Sequence, residues 1–159
     1  MKKDYGFGLV EVLIAASILS AFLVVFVATF QIFLVHSFDS VDKVQASFLL
    51  EEGIESVKFL RDKGYSEHIT PLATESPYYL VFIGGTWEAT STEQEYIDGL
   101  FERTFIVEDV KRDGADDISD TGVVDPYTKK ITVSVSWASR TGTSTESVST
   151  YITNFHEDI

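Results

Sequence analysis

The chain has 159 residues, of which 45% are hydrophobic, a formal net charge of −13 and no cysteine. This length holds one small domain plus an anchoring element and leaves little room for a two-domain enzyme. The hydrophobic content argues against a disordered tail, and the acidic charge argues against nucleic-acid binding. Without cysteine, this chain alone can build neither a disulfide framework nor a thiolate metal site.

A long apolar run near the N-terminus predicts a membrane-spanning helix. Residues 12–35, VLIAASILSAFLVVFVATFQIFLV, contain no charge. As a helix they would extend about 36 Å, enough to cross a hydrocarbon core of about 30 Å. Lys2 and Lys3 precede the run, whereas the first charges after it are Asp39 and Asp42. The positive-inside bias therefore predicts a cytoplasmic N-terminus and an acidic extracytoplasmic remainder.

Two ordinary interpretations of this run leave Glu11 unexplained. A secretory signal has an apolar region of about 7–15 residues that ends at a small-x-small cleavage site. This run is longer and lacks a convincing A-x-A pattern. A plain single-span anchor would keep Glu11 solvated near the interface. Because a carboxylate at membrane depth costs at least about 2–3 kcal/mol near a helix centre and less toward the ends, Glu11 indicates a partner.

The N-terminal segment resembles that of type IV prepilins and type II secretion pseudopilins. Residues 2–6, KKDYG, form a short basic leader that ends in Gly6, Phe7 follows, and Glu11 is at the fifth position after the leader. The resemblance implies cleavage between Gly6 and Phe7 by a prepilin peptidase, and N-methylation of Phe7. In a filament, Glu11 would face the α-amine of Phe7 on a neighbouring subunit, and this pair would fix the axial register.

The helix is predicted to continue beyond the span, from about Phe7 to about Asp62. In residues 36–62 the apolar side chains recur mostly at spacings of three and four, an amphipathic pattern that would lay one face on a globular domain. These side chains are Phe38, Val41, Val44, Phe48, Ile54, Val57 and Leu60. Gly53 predicts a local weakness, since glycine costs about 1 kcal/mol against alanine in a helix. Ala28 stands where many major pilins have a helix-kinking proline.

Alternating patterns after the helix predict three or four antiparallel strands. The predicted strand segments are 78–83 (YYLVFI), 101–110 (FERTFIVEDV), 129–137 (KKITVSVSW) and 148–155 (VSTYITNF). A turn-rich segment, residues 138–147, separates the last two and indicates a hairpin. The long apolar stripe available to cover the sheet is the C-terminal half of the helix, so we expect the sheet to pack there.

The predicted fold is therefore α+β and pilin-like: a long N-terminal helix, transmembrane and then amphipathic, packed on a small antiparallel sheet. We divide the chain into a leader (1–6), the transmembrane and filament-core half of the helix (7–35), and an extracytoplasmic domain (36–159). This domain contains the amphipathic helix 36–62 and the sheet 78–155. The strand sequences further resemble the sheet of minor pilins, which favours a minor over a major subunit.

An acidic segment between the predicted strands raises the question of a metal. Residues 111–130 hold five aspartates: Asp113, Asp116, Asp117, Asp120 and Asp125. Oxygen-rich loops of this kind can hold Ca²⁺, and calcium sites are known in pseudopilins. The spacing does not fit an EF-hand, and the ordinary interpretation is a solvated acidic loop, so we name no ligands and expect no other cofactor.

Two functions compete. The first is a structural subunit of a type IV pilus or related filament, made as an inner-membrane precursor and assembled at the cell surface through its apolar helix. Its partners would be other pilin subunits, the prepilin peptidase, the assembly machinery and membrane lipid. The second is a membrane-tethered extracytoplasmic binding domain that never polymerises. No nucleophile elbow, phosphate-binding loop or metal-ligand spacing of histidines is present, so we expect no enzymatic activity.

Overall fold

One long helix dominates the first part of the fold. The computed structural model describes residues 8–139 and 142–155. Helix α1 extends from Leu9 to Lys63, which confirms the long helix predicted from the sequence, and it passes through Ala28 as regular helix. A single-turn helix, α2 (Tyr65–His68), follows. One compact unit extends to Asp42 and a second begins at Lys43, so α1 contributes to both.

An antiparallel sheet forms the rest of the second unit. Within the described residues it has six strands: β1 (Tyr78–Ile83), β2 (Thr86–Thr90), β3 (Phe101–Arg112), β4 (Ile118–Ser119), β5 (Val123–Ser139) and β6 (Gly142–Thr153). The strand order is β2-β1-β3-β5-β6, and β4 pairs with β3. The α+β class and the four predicted strands are confirmed, but the predicted number of three or four strands was too low.

Strand β2 was missed because it is short. It pairs with β1 from Tyr79 opposite Thr90 to Ile83 opposite Thr86. The two-residue connection, Gly84 and Gly85, has φ angles of 64° and 85°. A two-residue turn with positive φ at both positions matches the right-handed twist of the strands, and glycine adopts it without steric cost.

Strands β5 and β6 are both longer than predicted. The segment predicted as turn-rich continues β5 to Ser139 and begins β6 at Gly142. Its serines and threonines are typical of turns, but threonine also suits strands, and pairing with a neighbouring strand decides between them. At the other end, β5 already begins at Val123. Pro126 is tolerated there because the register with β3 shifts beside it.

The core lies between the C-terminal part of α1 and one face of the sheet. On α1 the buried side chains follow the repeat Ala46, Leu50, Val57 and Leu60, with Gly53 completing the spacing of four and three. From the sheet and its connections the core contains Tyr65, Ile69, Leu80, Phe101, Phe105, Val107, Ile131, Val133, Val135, Trp137 and Ile152.

The predicted apolar stripe of α1 was wrong in its N-terminal part. Val41, Val44 and Phe48 are exposed by 60%, 56% and 66%, whereas Val57 and Leu60 are buried as expected. Ile54 is partly buried against the core, and the side chain of Phe38 lies outside the described part of the structure. The prediction failed because two positions of the true stripe are the small residues Ala46 and Gly53, which a search for large apolar side chains overlooks.

Gly53 lies where α1 and the sheet approach each other closely, and the helix continues through it instead of showing the local weakness that we predicted. A Cβ atom at this position would lie 2.7 Å from Cγ1 of Val133 and 3.2 Å from Cδ of Arg103. The first distance is well below van der Waals contact, so alanine cannot be accommodated without displacing β5 or α1. The helix-propensity cost of glycine is therefore offset by tighter packing.

Candidate functional site

The site residues predicted at the N-terminus fall partly within the structure. Gly6 and Phe7 lie outside the described residues. The carbonyl of Gly8 accepts hydrogen bonds from the backbone N–H of Glu11 at 3.0 Å and of Val12 at 3.2 Å. Gly8 is therefore the N-cap, and Glu11 is the third residue of α1, in its first turn. An acidic side chain in the first turn is stabilised by the helix dipole by about 0.3–1 kcal/mol.

The apolar half of α1 has no protein cover within the described chain. Every side chain from Leu9 to Leu34 is exposed. The most apolar 18-residue window has a mean hydropathy of 2.7, none of it is buried, and the helix is long enough to cross a membrane. A surface of this size requires lipid or other apolar helices around it.

Most polar side chains in this half of the helix are satisfied by the helix itself. The hydroxyl groups of Ser17, Ser20 and Thr29 donate to the carbonyl oxygens three or four residues earlier, at 2.8, 2.8 and 2.9 Å. Such bonds remove the cost of placing a hydroxyl group in a dry environment. Between residues 9 and 35, all of which are described, Glu11 and Gln31 are the polar side chains without a hydrogen bond.

The comparison with protein families identifies this N-terminus. Residues 1–27 match the model of the prokaryotic N-terminal methylation motif. The chain carries the N-terminus of a type IV pilin-like prepilin. A search of curated proteins and a search of solved structures each gave no match.

This identification fixes the general class of the protein. Prepilins with this motif are structural proteins, and in general they associate with other pilins and with a prepilin peptidase. Together with the exposed apolar half of α1, the motif makes the chain a membrane-anchored precursor. The predictions for Gly6, Phe7 and Glu11 as individual site residues stay predictions.

A second exposed apolar face occurs on α1 within the sheet-bearing unit. Val44, Phe48 and Phe59 are exposed by 56%, 66% and 44%. At about 100° per residue, all three lie roughly opposite the buried stripe. This prepilin therefore presents apolar side chains on the outer face of the α1 segment that packs on the sheet, as well as along the apolar half of α1.

A buried arginine that we did not predict holds α1 to the sheet. Nη1 of Arg103 donates to Oε2 of Glu52 at 2.7 Å and to the carbonyl of Leu49 at 3.3 Å. Its guanidinium lies 5.3 Å from the ring centre of Trp87, and the side chain is only 4% exposed. The signal was visible in the sequence, since Arg103 occupies an apolar-phase position of β3 between Phe101 and Phe105.

The acidic segment is organised by an arginine. Nε of Arg112 donates to Oδ2 of Asp125 at 2.7 Å, and Nη1 donates to the carbonyl of Asp116 at 2.8 Å. Burial raises the pKa of the Asp125 carboxyl, but hydrogen bonds from Arg112, Thr128 and the Tyr127 backbone outweigh it, so that pKa lies below its ordinary value.

A metal ion in the acidic segment would need several ligands that converge on one point. Across residues 8–139 and 142–155, no three histidine or acidic side chains converge to hold a metal ion. Oδ1 of Asp113 instead accepts the backbone N–H groups of Ala115 and Asp117 at 2.9 and 3.2 Å, which closes a tight turn. The expectation of no cofactor stays a prediction, with calcium at residues 113–125 as its alternative.

Proposed function

We propose that this prepilin is a structural subunit of a type IV pilus or related filament. It is inserted in the inner membrane with its N-terminus in the cytoplasm, cleaved after Gly6, and N-methylated at Phe7. It is then polymerised by an assembly machinery through its apolar helix. The observation that carries the proposal is the N-terminal methylation motif at residues 1–27, joined to a helix whose apolar half has no cover within the described part of the chain.

The position of Glu11 supports a role in assembly register. Its carboxylate is in the first turn of α1, at the same end as the α-amine that cleavage would create on Phe7. Within one subunit the carboxylate interacts with the helix dipole, and between subunits it can pair with the amine of a neighbour. Leaving one buried charge unpaired costs several kcal/mol, so a misaligned subunit would be rejected even where the pair itself adds little stability.

The exposed apolar residues of α1 within the sheet-bearing unit also support assembly through this helix. An apolar filament core formed only by residues 9–35 would end at the membrane boundary. Val44, Phe48 and Phe59 continue an apolar surface on α1 beyond that boundary. Their burial between subunits would add to the packing of the helices, since association removes apolar area from water.

The first experiment is the mass of the N-terminal peptide from membranes and from sheared surface filaments. We expect a chain that begins at N-methylated Phe7. Gly6→Ala should leave the leader attached and the protein in the membrane. A wild-type chain that still begins at Met1 in a host with an active prepilin peptidase would instead identify a tethered binding domain. Normal processing of Gly6→Ala would count against cleavage after Gly6 by a prepilin peptidase.

A second experiment separates processing from assembly. Glu11→Ala and Glu11→Leu should be cleaved normally but should incorporate poorly into filaments. Glu93→Ala is the matched control, because it removes an exposed carboxylate from a loop outside the helix. Incorporation of the Glu11 variants at the level of Glu93→Ala would remove the register argument while leaving the subunit assignment intact.

The abundance of the chain in the filament distinguishes a minor from a major subunit. We propose a minor rather than a major subunit, on the resemblance of the strand sequences to the sheet of minor pilins. Quantitative mass spectrometry of sheared filaments should find this chain at a small fraction of the total pilin. If it is the most abundant protein of the filament, the chain is a major subunit.

A further inference from the structure

The β1–β2 hairpin ends in an exposed apolar tip, residues 82–87. Phe82 and Ile83 are 62% and 59% exposed, and they lie on opposite faces of β1 because they are consecutive residues of a strand. The two-glycine turn that follows them is exposed as well. Trp87 stands opposite Phe82, with the two ring centres 5.3 Å apart in an edge-to-face arrangement. The hairpin tip therefore presents apolar surface on both of its faces, which an isolated exposed side chain does not.

The hairpin tip carries no charge in a strongly acidic chain. Residues 78–87, YYLVFIGGTW, include no acidic or basic residue, and the nearest charged residues in sequence are Glu75 and Glu88. A second exposed apolar group of the sheet, Val123 and Val124, directly follows a segment with four aspartates. Carboxylates keep a surface in water, because their transfer toward lipid is costly. Of these two apolar groups, the hairpin tip is therefore the one suited to lipid.

Two contacts show which way the hairpin tip points within the sheet-bearing unit. Asp98, three residues before β3, accepts a hydrogen bond from Nε2 of Gln45 at 3.0 Å. Arg103, inside β3, bonds instead to Glu52, which is farther along α1. Strand β3 therefore runs in the same direction as this part of α1. Because β1 is antiparallel to β3, its C-terminal end and the hairpin tip point back toward Lys43, where the unit begins.

That end of the unit is also where α1 arrives from the apolar run. Residues 36–42 lie between the run and the unit, and as helix they rise about 10 Å. The headgroup region adds about 5–8 Å to each side of the hydrocarbon core. Beyond its pairing with β3 at Tyr79, β1 continues to Ile83, which is about 13 Å of strand toward the same end. The hairpin therefore has the length to reach the headgroups of the membrane that anchors α1.

We propose that the hairpin tip is a lipid-contact site that lies in the interfacial layer of the membrane holding α1. Lipid is the occupant that fits, because the tip is neutral, is apolar on both faces and points toward the end of the unit that the apolar run enters. Trp87 suits the headgroup level, where its ring meets apolar chains and its N–H stays hydrated. Glu88 and the outer edge of β2, the last strand of the described sheet, limit the depth, since charges and open backbone groups are costly in hydrocarbon.

This contact goes beyond the proposed function. It rests only on the anchoring of α1 in a membrane, and it needs neither cleavage after Gly6 nor an assembly machinery. It gives the sheet-bearing unit of the unassembled precursor a second attachment to the membrane besides α1. A subunit that leaves the membrane for a filament gives up this contact.

Quenching by lipid tests the proposal, because a chain without cysteine accepts one fluorophore at one introduced site. Thr86→Cys places an NBD fluorophore in the hairpin tip, opposite Ile83. Thr121→Cys is the matched control, since Thr121 is exposed in the turn between β4 and β5 at the other end of the sheet. The full chain with its leader is reconstituted at low density in phosphatidylcholine vesicles. Part of the lipid carries a nitroxide near the headgroup end of its acyl chain, and the quenched fraction of the fluorescence is measured.

We expect the quenched fraction at position 86 to be at least about threefold that at position 121, because an apolar surface at the interface lies within reach of the nitroxide. Adding Phe82→Glu to Thr86→Cys should lower quenching to the level of position 121, because a carboxylate at the tip opposes its entry into lipid. Phe82→Leu in the same background keeps the tip apolar and should retain the quenching.

Three results would overturn the proposal. The first is equal quenching at positions 86 and 121, a comparison that needs no substitution at Phe82. The second is full quenching in Phe82→Glu, which would mean that the apolar tip does not make the contact. The third is weak quenching by lipid together with stronger protection from aqueous iodide at position 86 than at 121, which would assign the hairpin tip to a protein partner. An uncleaved or unassembled chain in the host would contradict the filament assignment and leave this measurement unaffected.

Discussion

Gly53→Ala gives the sharpest test of how α1 packs on the sheet. The new Cβ would lie 2.7 Å from Cγ1 of Val133 and 3.2 Å from Cδ of Arg103. Arg103 cannot move away freely, because its guanidinium is held by Glu52. Overpacking of a core typically costs about 1–3 kcal/mol, and alanine returns about 1 kcal/mol of helix propensity. We therefore expect a net destabilisation of about 0–2 kcal/mol.

A double-mutant cycle with Val133→Ala isolates the steric contribution. Val133 is fully buried, so Val133→Ala alone should destabilise the domain by about 2 kcal/mol through lost apolar contact and a residual cavity. The double variant removes the methyl group that the alanine at position 53 would strike. It should therefore be more stable than the sum of the single effects by at least about 1 kcal/mol.

Thermal unfolding of the full chain in detergent, followed by tryptophan fluorescence, provides the assay. Both tryptophans, Trp87 and Trp137, lie in the sheet, so the signal reports this unit alone. For a domain of this size, 1 kcal/mol corresponds to roughly 3–6 °C in Tm. Single effects that add within about 0.5 kcal/mol would refute the reasoning, because they would mean that positions 53 and 133 do not touch.

Three further predictions use the same assay. The buried Tyr65 hydroxyl has no hydrogen-bond partner among the described residues. Burial, followed by the charges of Asp125 and Asp109, raises its pKa to about 12. The stability that the neutral Tyr65 contributes is therefore present below pH 10 and lost as the pH rises toward 12. Tyr65→Phe should remove this fall in the free energy of unfolding, which amounts to at most about 3 kcal/mol. If the variant and the wild type lose stability equally over this pH range, the prediction is wrong. Glu52→Ala should lower the free energy of unfolding by about 1–3 kcal/mol, because it leaves the buried Arg103 without its carboxylate partner at a site near solvent. An unchanged Tm would mean that water replaces the carboxylate as the partner of Arg103. Removing calcium with EDTA should leave Tm unchanged, and a fall of several degrees would support a calcium site.

The fold could be predicted from the sequence where one segment determines its own structure. The apolar run is a property of α1 itself, and the alternation in β3 and β5 marks one buried face. The extent of β6 could not be predicted in the same way, because its serines and threonines become strand only through pairing with β5. The role of Gly53 in packing could not be predicted for a related reason, because it depends on the contact with Val133, which is distant in sequence.

The candidate site shows the same division. The spacing of Gly6, Phe7 and Glu11 is read directly from the chain, and the family comparison supports the motif that contains it. The Arg103–Glu52 pair connects β3 to α1, and neither partner indicates the other in sequence. An arginine in the apolar phase of a strand is nevertheless a usable signal, because a buried guanidinium requires a partner and an acidic residue on the packed helix can supply one.

The polar residues of the apolar half of α1 indicate how neighbouring helices would be selected. Ser17, Ser20 and Thr29 are satisfied by their own helix, so they add little to recognition. Between residues 9 and 35, Glu11 and Gln31 keep unused hydrogen-bonding capacity. They are about 30 Å apart along the axis and about 160° apart around it, so in a filament they would face different neighbours. Two distinct contacts on opposite faces of one helix are what an open, head-to-tail assembly requires, whereas a closed two-fold pair would need only one.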